Sequence, residues 1–223
     1  MPNKKLSEYQ IKKLYSEFFD IPFYGDFVNS SKKITNENLK DQVLVAKIDN
    51  GTKGRFKRGL VKLNSSEEEV YDWVNSLDSN ENFYVEKFES VSKEYYICIR
   101  AEDDYDAIYI NEQGGVDNMN PLEGATKIKI KVDSDDFHND FKIKELPIEL
   151  CISIEKLYNF FKHFHFTFLE VNPLALTETG EYKPIDFAVF IDESSLYLFP
   201  EYDNILNLEY SKISFNHPTE EFI

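Results

Sequence analysis

Three polar side chains interrupt a strand-like, apolar stretch near the end of the sequence, and their spacing could do chemistry. The stretch FLEVNPLALTETGEYKPID covers residues 168–186 and contains Glu170, Asn172 and Asp186. Its central TETGE fits a hairpin turn with glycine in the left-handed position. Counted outward from that turn, Asn172 falls opposite Asp186, and Glu170 falls opposite Ala188.

This register predicts a magnesium site. Side chains two residues apart on a strand share a face, and facing Cβ atoms lie ~5 Å apart. Glu170, Asn172 and Asp186 would therefore converge. Mg²⁺ prefers hard oxygen ligands, with phosphates and waters completing its shell. We predict Asn172 and Asp186 as the metal ligands; the alternative from the spacing alone is a hydrogen-bonded Asn–Asp pair at a hairpin.

A second candidate site is a basic stretch between residues 47 and 62, in which Asp49 is the only acid. Its cations are Lys47, Lys53, Arg55, Lys57, Arg58 and Lys62. Glycines at 51, 54 and 59 lie between two strand-like runs. A glycine-bearing loop lets backbone N–H groups and fixed cations surround a polyphosphate. The alternative is a solvated hairpin whose cations protect an edge strand.

Composition excludes several classes of function. The chain has 223 residues, 42% of them hydrophobic, and a formal net charge of −16. Such a charge argues against nucleic acid or anionic lipid as a partner. Because no run of ~18 apolar residues occurs, we expect no membrane span, and MPNKKLSEYQ lacks the apolar core of a signal peptide. Cys98 and Cys151 are expected to be ordinary thiols in a reducing, cytoplasmic setting.

Local patterns predict an α+β fold. Ser7 and Gln10 form a capping box before an N-terminal helix, Ser65 or Ser66 caps a second helix, and Pro147 opens a third. Strands are predicted at 43–47, 60–64, 82–88, 94–100, 107–111 and 126–132, followed by the hairpin at 168–186. Residues 112–125 read as a loop, and the tail after Asp192 reads as irregular.

Four segments, in this order, resemble the ATP-grasp portion of ATP-citrate lyase and of succinyl-CoA synthetase β subunits. They are SEYQIKKLYSEF, LVAKIDNGTKGRFKRGLV, FYVEKFESVSKEYYICIRAEDDYDAIYINEQGGVD and FHFTFLEVNPLALTETGEYKPIDFAVFID. The last is the most specific, and its details lie nearer to ATP-citrate lyase. The resemblance implies an ATP-grasp fold with ATP between two lobes, one at 22–93 and the main lobe at 1–21 and 94–223.

The resemblance also implies roles for individual residues. Lys47 would contact the α and β phosphates, and Arg55 would belong to the phosphate loop, where Phe56 stands in place of the usual glycine. Glu94 would hold the ribose hydroxyls. Three residues would border the adenine: Glu86, Lys87 and Glu89. Asn172 and Asp186 would bind Mg²⁺. Gln113 replaces the glutamate of the family's E-G-G sequence.

The expected function is the ATP- and Mg²⁺-binding portion of an enzyme similar to ATP-citrate lyase. The citrate-binding and CoA-binding domains are expected to be absent from this chain, so a partner subunit or a further C-terminal region would carry the reactive histidine and the acid and CoA sites. No catalytic residue is assigned here. The alternatives are the β subunit of an ADP-forming acyl-CoA synthetase and a degenerate, non-catalytic ATP-grasp module.

Overall fold

The computed structural model describes residues 3–50, 55–77, 81–115, 120–131, 141 and 146–198. These residues form antiparallel strands in two sheets, together with α-helices. The strands are β1 Asn3–Lys5, β2 Gly25–Val28, β3 Leu44–Ile48, β4 Val61–Ser65, β5 Phe83–Lys87, β6 Val91–Ala101, β7 Tyr105–Asn111, β8 Thr126–Lys131, β9 Phe166–Thr177, β10 Tyr182–Pro184 and β11 Phe187–Asp192. The helices are α1 Glu8–Phe18, α2 Glu67–Ser76 and α3 Ile148–His163. Short 3-10 turns occupy Glu37–Leu39, Phe56–Arg58 and Glu193–Leu198.

The smaller sheet has four strands in the order β2-β5-β3-β4. Its core contains Val28, Leu44 and Val85, and α2 adds Val70 and Val74. Ser66 caps α2 and forms a reciprocal capping box with Glu69, which satisfies backbone donors that a helix start otherwise leaves open. The central strand β3 is buried at every residue, so Lys47 enters the protein interior from this strand.

The larger sheet has seven strands in the order β1-β11-β9-β6-β7-β8, with β10 paired to β9. Alternate residues of its strands, such as Ile97, Ile99 and Leu169, pack with α1 and α3 in the main core. A strand points successive side chains to opposite faces. Tyr96, Cys98 and Glu170 therefore belong to the other face of the sheet, where the chemistry-bearing residues of β9 are found.

The predicted hairpin register is confirmed. Thr177 and Glu181 close the turn through an N–H to O bond of 2.8 Å, and Gly180 has a φ of +85°. Ala188 lies opposite Glu170, and the Asn172 N–H donates to the Asp186 carbonyl at 3.1 Å. Counting residues outward from the turn was enough to predict which residues face each other, because the turn fixes the register of a hairpin and side chains alternate with a period of two.

Of four further expectations, three are confirmed and one is wrong. The Ser7–Gln10 capping box is present, Pro147 precedes α3, and the described residues of 112–125 form neither helix nor strand. The tail after Asp192 was expected to be irregular, but it begins with the 3-10 turn Glu193–Leu198. Residues beyond 198, the loop positions 51–54 and 116–119, and residue 132 lie outside the described residues.

Strands β1 and β2 were not predicted, because they are short and take their hydrogen bonds from distant strands, β11 and β5. The four strands of the smaller sheet lie inside 22–93, while β6 begins at Val91. The proposed lobe boundaries stay a prediction. In the part of the chain that the structure describes, no helix has the length and apolar character needed to cross a bilayer.

Candidate functional site

A cavity of about 840 Å³ lies between the two sheets and receives side chains from both of them. Lys47, Arg55 and Phe56 reach it from the smaller sheet and its loop, and Asn172 and Asp186 reach it from the larger sheet. The segments predicted separately as a phosphate loop and a metal site therefore meet in one space.

Helix α1 is tied to the cavity at its first turn. The side chain of Asp49, just after β3, accepts the backbone N–H of Glu8 at 2.8 Å and that of Tyr9 at 3.3 Å. Burial, and then the charge of Glu8, raise the pKa of Asp49. A carboxylate at a helix start stabilises the exposed N–H groups, so this contact fixes Glu8 against the end of β3.

Glu8 holds the two cations that were predicted to bind phosphate. Its carboxylate accepts Lys47 Nζ at 2.8 Å and an Arg55 guanidinium nitrogen at 2.5 Å. Burial would raise the pKa of Glu8, but the charges of Lys47, Arg55 and Lys12 outweigh burial and hold that pKa well below its usual range. Burial would likewise lower the pKa values of Lys47 and Arg55, but their acidic partners raise both.

Lys12 and Glu86 complete this buried ionic network. Lys12 Nζ donates to Glu86 Oε2 at 2.5 Å and to the Ile185 carbonyl at 2.6 Å. Lys47 Nζ donates to the same carbonyl at 2.9 Å, and it lies 2.8 Å from Glu86 Oε1 as an ion pair without hydrogen-bond geometry. Glu86 thus contacts Lys12 and Lys47. Glu86 and Lys87 were both expected to border the adenine, but neither is among the described residues that line the cavity.

Asp186 is paired with Arg55 across the cleft. One guanidinium nitrogen of Arg55 lies 2.7 and 2.8 Å from the two carboxylate oxygens. The side chain of Asp186 is 37% exposed, on the side that faces the cavity. Removal from bulk water, followed by the charge of Glu8, raises its pKa to about 6 against the opposing effect of Lys47 and Arg55.

Asn172 is linked to Asp186 through its backbone N–H, and its side chain bonds elsewhere. Asn172 Oδ1 accepts the backbone N–H of Gly115 at 2.7 Å, whereas Asp186 accepts from Arg55. The predicted alternative of an Asn–Asp side-chain pair is therefore not the arrangement seen among the described residues. Glu170 also lines the cavity and accepts the Tyr96 hydroxyl at 2.9 Å.

The loop before Gly115 needs its glycines in order to lie against β6. A Cβ at Gly114 would come within 2.5 Å of the Tyr95 carbonyl carbon, and one at Gly115 would come within 1.8 Å of Glu94 Oε2. Gly115 also has a φ of +86°. Glu94 lines the cavity beside this loop, while Gln113 is exposed.

The cavity also has an apolar part of its lining, here called the apolar wall. It is formed by Phe56, Val61, Leu63, Phe88 and Val91. Phe56 is 48% exposed, so its ring is available to a ligand. Glu89 lines the same region and accepts Lys183 Nζ at 3.1 Å.

The basic stretch is only partly directed into the site. Lys47, Arg55 and Lys57 line the cavity, whereas Arg58 and Lys62 do not appear among its described lining residues, and Lys53 lies outside the described residues. Sequence reasoning missed Glu8, Lys12 and Asp49. The available signal was the Glu8–Lys12 pair, an i,i+4 pair of charges at a helix start directly after a capping serine.

The donors of Asn172 and Asp186 suit a hard cation, since Asn172 on β9 and Asp186 just before β11 each offer oxygen. In the described part of the chain there is no cluster of three or more histidine, cysteine, aspartate or glutamate side chains that could hold a metal ion. A metal here would thus depend on ligand phosphates and water for the rest of its shell. Cys98 and Cys151 are free thiols, as expected.

Comparison with solved structures shows the class of fold. The chain superimposes over its full length on ATP citrate lyase from Methanothrix soehngenii, solved in complex with citrate and coenzyme A, with a TM-score of 0.74 at 21% identity over 57% of that chain. It also matches acetyl-coenzyme A synthetase 1 of Ca. Korarchaeum cryptofilum in complex with coenzyme A and Mg-AMPPCP, with a TM-score of 0.57 at 15% identity, covering 85% of this chain and 93% of that one. The protein has the α+β ATP-grasp fold.

Sequence comparison then identifies its relatives. The chain is 32% identical to ATP-citrate synthase of Mus musculus over 180 residues, which are 72% of this chain and 16% of the mouse protein. It is 28% identical to the β subunit of ADP-forming succinate–CoA ligase from Wolbachia sp. subsp. Brugia malayi over 228 residues, 88% of this chain and 58% of that subunit. No protein-family profile matches the chain. The predicted resemblance is confirmed: the chain is homologous to a segment of these enzymes, and it spans less than two thirds of either relative.

Proposed function

We propose that this chain binds Mg-ATP or Mg-ADP between its two sheets and serves as the nucleotide-binding portion of an enzyme similar to ATP-citrate lyase. The observation that carries the proposal is the convergence of Lys47 and Arg55 with Asn172 and Asp186 on a single cavity. Fixed cations beside a pair of oxygen donors are what phosphoryl transfer requires, because positioning and charge neutralisation provide most of its catalysis.

Magnesium would be held by Asn172 and Asp186, and it would neutralise charge on the nucleotide phosphates. Gly115 already orients the Asn172 amide by donating to its oxygen at 2.7 Å. With the N–H of Gly115 fixed on Oδ1, the amide cannot flip without losing that bond. Asp186 must exchange its bonds to Arg55 for the metal.

Lys47 and Arg55 would contact the phosphates. Both are now neutralised by Glu8, Glu86 or Asp186. If the Arg55 guanidinium moved from Asp186 to a nucleotide phosphate, it would exchange one anion for another. The Asp186 carboxylate would then be free to bind the metal. One movement could thus complete both the metal site and the phosphate site.

The nucleoside would occupy the other end of the cavity. Glu94 is placed for ribose hydroxyls, as the resemblance implies. The base would lie against the apolar wall of Phe56, Leu63 and Val91, with Glu89 at its edge. Aromatic and aliphatic surfaces suit a purine, and a few polar groups set its orientation.

The acid substrate, coenzyme A and a phosphate-accepting histidine would come from a partner subunit or a further region. The structural neighbour from Ca. Korarchaeum cryptofilum is described with a phosphohistidine segment pointing towards its nucleotide-binding site. A β subunit of an ADP-forming acyl-CoA synthetase would use the same cavity. The cytoplasm would be its location.

A non-catalytic module is the second candidate, and two features of the loop favour it. Phe56 occupies the position of a loop glycine, and the neighbouring Arg55 is already held by Glu8 and Asp186. Such a module would bind nucleotide weakly or not at all, which separates the two proposals experimentally.

Calorimetric titration with Mg-ATP and with adenosine tests the proposal. Lys47→Ala should weaken ATP binding and leave adenosine binding nearly unchanged, because adenosine carries no phosphate for the lysine to neutralise. Lys156→Ala, at an exposed position on α3, is the matched control. Equal loss of both ligands would show that Lys47 supports the structure of the lobe, and absence of nucleotide binding by the wild-type chain would refute the proposal.

A further inference from the structure

The face of the larger sheet opposite its helices carries a row of cations and aromatic rings. Pairing registers place Lys5, Phe190, Phe168, Arg100, Ala107 and Lys129 opposite one another on six successive strands. With neighbouring strands 4.7–4.9 Å apart, the row is about 24 Å long. Tyr109 and Lys127 lie opposite each other in the adjacent row. We call this surface, comprising Arg100, Phe168, Phe190, Tyr109, Lys127 and Lys129, the Arg100 face.

Arg100 is a half-buried cation, and within the described part of the chain it has no counter-ion. Its guanidinium carbon lies 5.5 Å from the ring centroids of both Tyr109 and Phe168. Its Nε is buried and has no hydrogen-bond partner, and among the described residues no carboxylate lies within ion-pair distance of it. A buried or half-buried charge without a hydrogen-bonded anion is costly.

The polar groups near Arg100 do not supply the missing negative charge. The Cys98 thiol contacts the guanidinium, but burial raises the pKa of Cys98, so this thiol stays neutral. Glu170 is opposite Cys98 and accepts its hydrogen bond from Tyr96. An anion from outside would therefore pair with Arg100 without displacing an existing ion pair.

Two lysines extend the cationic surface. Lys129 Nζ lies 4.3 Å from the Tyr105 ring centroid, and Lys127 Nζ lies 5.2 Å from the centroids of both Tyr105 and Tyr109. Both lysines are exposed, and neither forms an ion pair with a carboxylate among the described residues. Three such cations on one face stand out in a chain whose net charge is −16.

We propose that the Arg100 face is a docking surface for an acidic polypeptide segment that crosses the strands, with one of its carboxylates on Arg100. Arg100 and Lys129 lie two strands apart, about 9–10 Å, which is too far for one small anion to bridge but suits alternate side chains of an extended peptide. The aromatic rings between the cations would contact its apolar side chains.

Charge favours a peptide over nucleic acid as the occupant. A nucleic acid presents a phosphate at every nucleotide and depends on neutralising many of them, whereas this acidic chain offers a few cations. The face also leads towards the cavity: Glu170 and Asn172 are two and four residues beyond Phe168 on β9. A bound segment would thus end near the proposed phosphoryl-transfer site, although its binding does not require a nucleotide.

Fluorescence anisotropy with a short labelled peptide of alternating glutamate and tyrosine tests the proposal on the full chain. The wild type should bind this peptide in low salt, and it should bind the glutamine–tyrosine counterpart much less. Arg100→Gln should weaken binding about tenfold, since a charge-assisted bond is lost, and Lys129→Gln should weaken it less. Lys156→Gln, at an exposed position on α3, should leave peptide binding unchanged.

Several results would overturn the proposal. These are equal peptide affinity of wild type and Arg100→Gln, no binding by the wild type, tighter binding of an oligothymidylate than of the peptide, or a dimer of this chain that Arg100→Gln dissociates. If Arg100→Gln does not fold, the exposed double variant Lys127→Gln/Lys129→Gln carries the test, and unchanged affinity in that variant would refute the docking surface. If the wild-type chain binds the peptide but no nucleotide, the proposed function is refuted and the docking surface is not.

Discussion

Acidification should weaken the magnesium-dependent part of nucleotide binding, because Asp186 titrates in the range where the chain can be assayed. Burial raises its pKa to about 6. The carboxyl would then be ionised in nearly all molecules at about pH 7.5 and in about a tenth of them at about pH 5. Mg²⁺ binds the ionised form, so the gain in affinity due to Mg²⁺ should fall about tenfold over this range.

The assay is calorimetric titration with ADP, in Mg²⁺ and in EDTA, at several pH values. Asp186→Asn should lose most of the Mg²⁺ effect at high pH and show little further change on acidification. The phosphates of ADP also take up protons, but they do so equally in both proteins, so the difference between wild type and variant isolates Asp186. Asp104→Asn, at an exposed turn, should behave as wild type.

A wild-type Mg²⁺ effect that is constant down to about pH 5 would refute this reasoning, because a group with a pKa near 6 would then not be a ligand. If the Mg²⁺ effect falls on acidification as much in Asp186→Asn as in the wild type, a group other than Asp186 is responsible for the titration.

Three further predictions follow from individual contacts. Glu8→Gln should lower the free energy of unfolding, measured with urea, by roughly 3–5 kcal/mol, because it leaves buried Lys47 and Arg55 with one anion fewer; a loss typical of a surface substitution would contradict this. Gly115→Ala should destabilise the chain by about 1–3 kcal/mol more than Gly124→Ala, because both glycines have positive φ but only a Cβ at 115 would meet a side chain, that of Glu94; equal losses would refute the clash. The chain alone, given ATP, Mg²⁺ and coenzyme A, should make no acyl-CoA from citrate or succinate; thioester formed without a partner, or an acid-labile phosphohistidine on this chain, would overturn that expectation.

The hairpin of β9 to β11 was predictable because its information is local. One glycine turn and a period of two residues placed Glu170 opposite Ala188 and Asn172 beside Asp186, and both relations are seen. Capping residues are equally local, and they located the starts of α1 and α2.

The ionic network was not predictable in the same way. Glu86 looked like a residue beside the base, but its position two residues from Tyr84 on a strand of the smaller sheet directs it to Lys12 and Lys47. Glu8 is the first residue of α1, and it was not predicted as a site residue. Nothing in its neighbourhood along the chain shows that both candidate phosphate-binding cations would contact it.

The sequence by itself determined which residues share a strand, a turn or a helix cap, and so it determined the two halves of the candidate site: cations around Lys47 and oxygen donors at Asn172 and Asp186. Only the tertiary structure decided how the halves meet. The decisive contacts join residues 39 positions apart, Glu8 with Lys47, and 131 positions apart, Arg55 with Asp186. Local periodicity carries no information about contacts between residues so far apart along the chain, because these contacts are set by how the two sheets and helix α1 pack together.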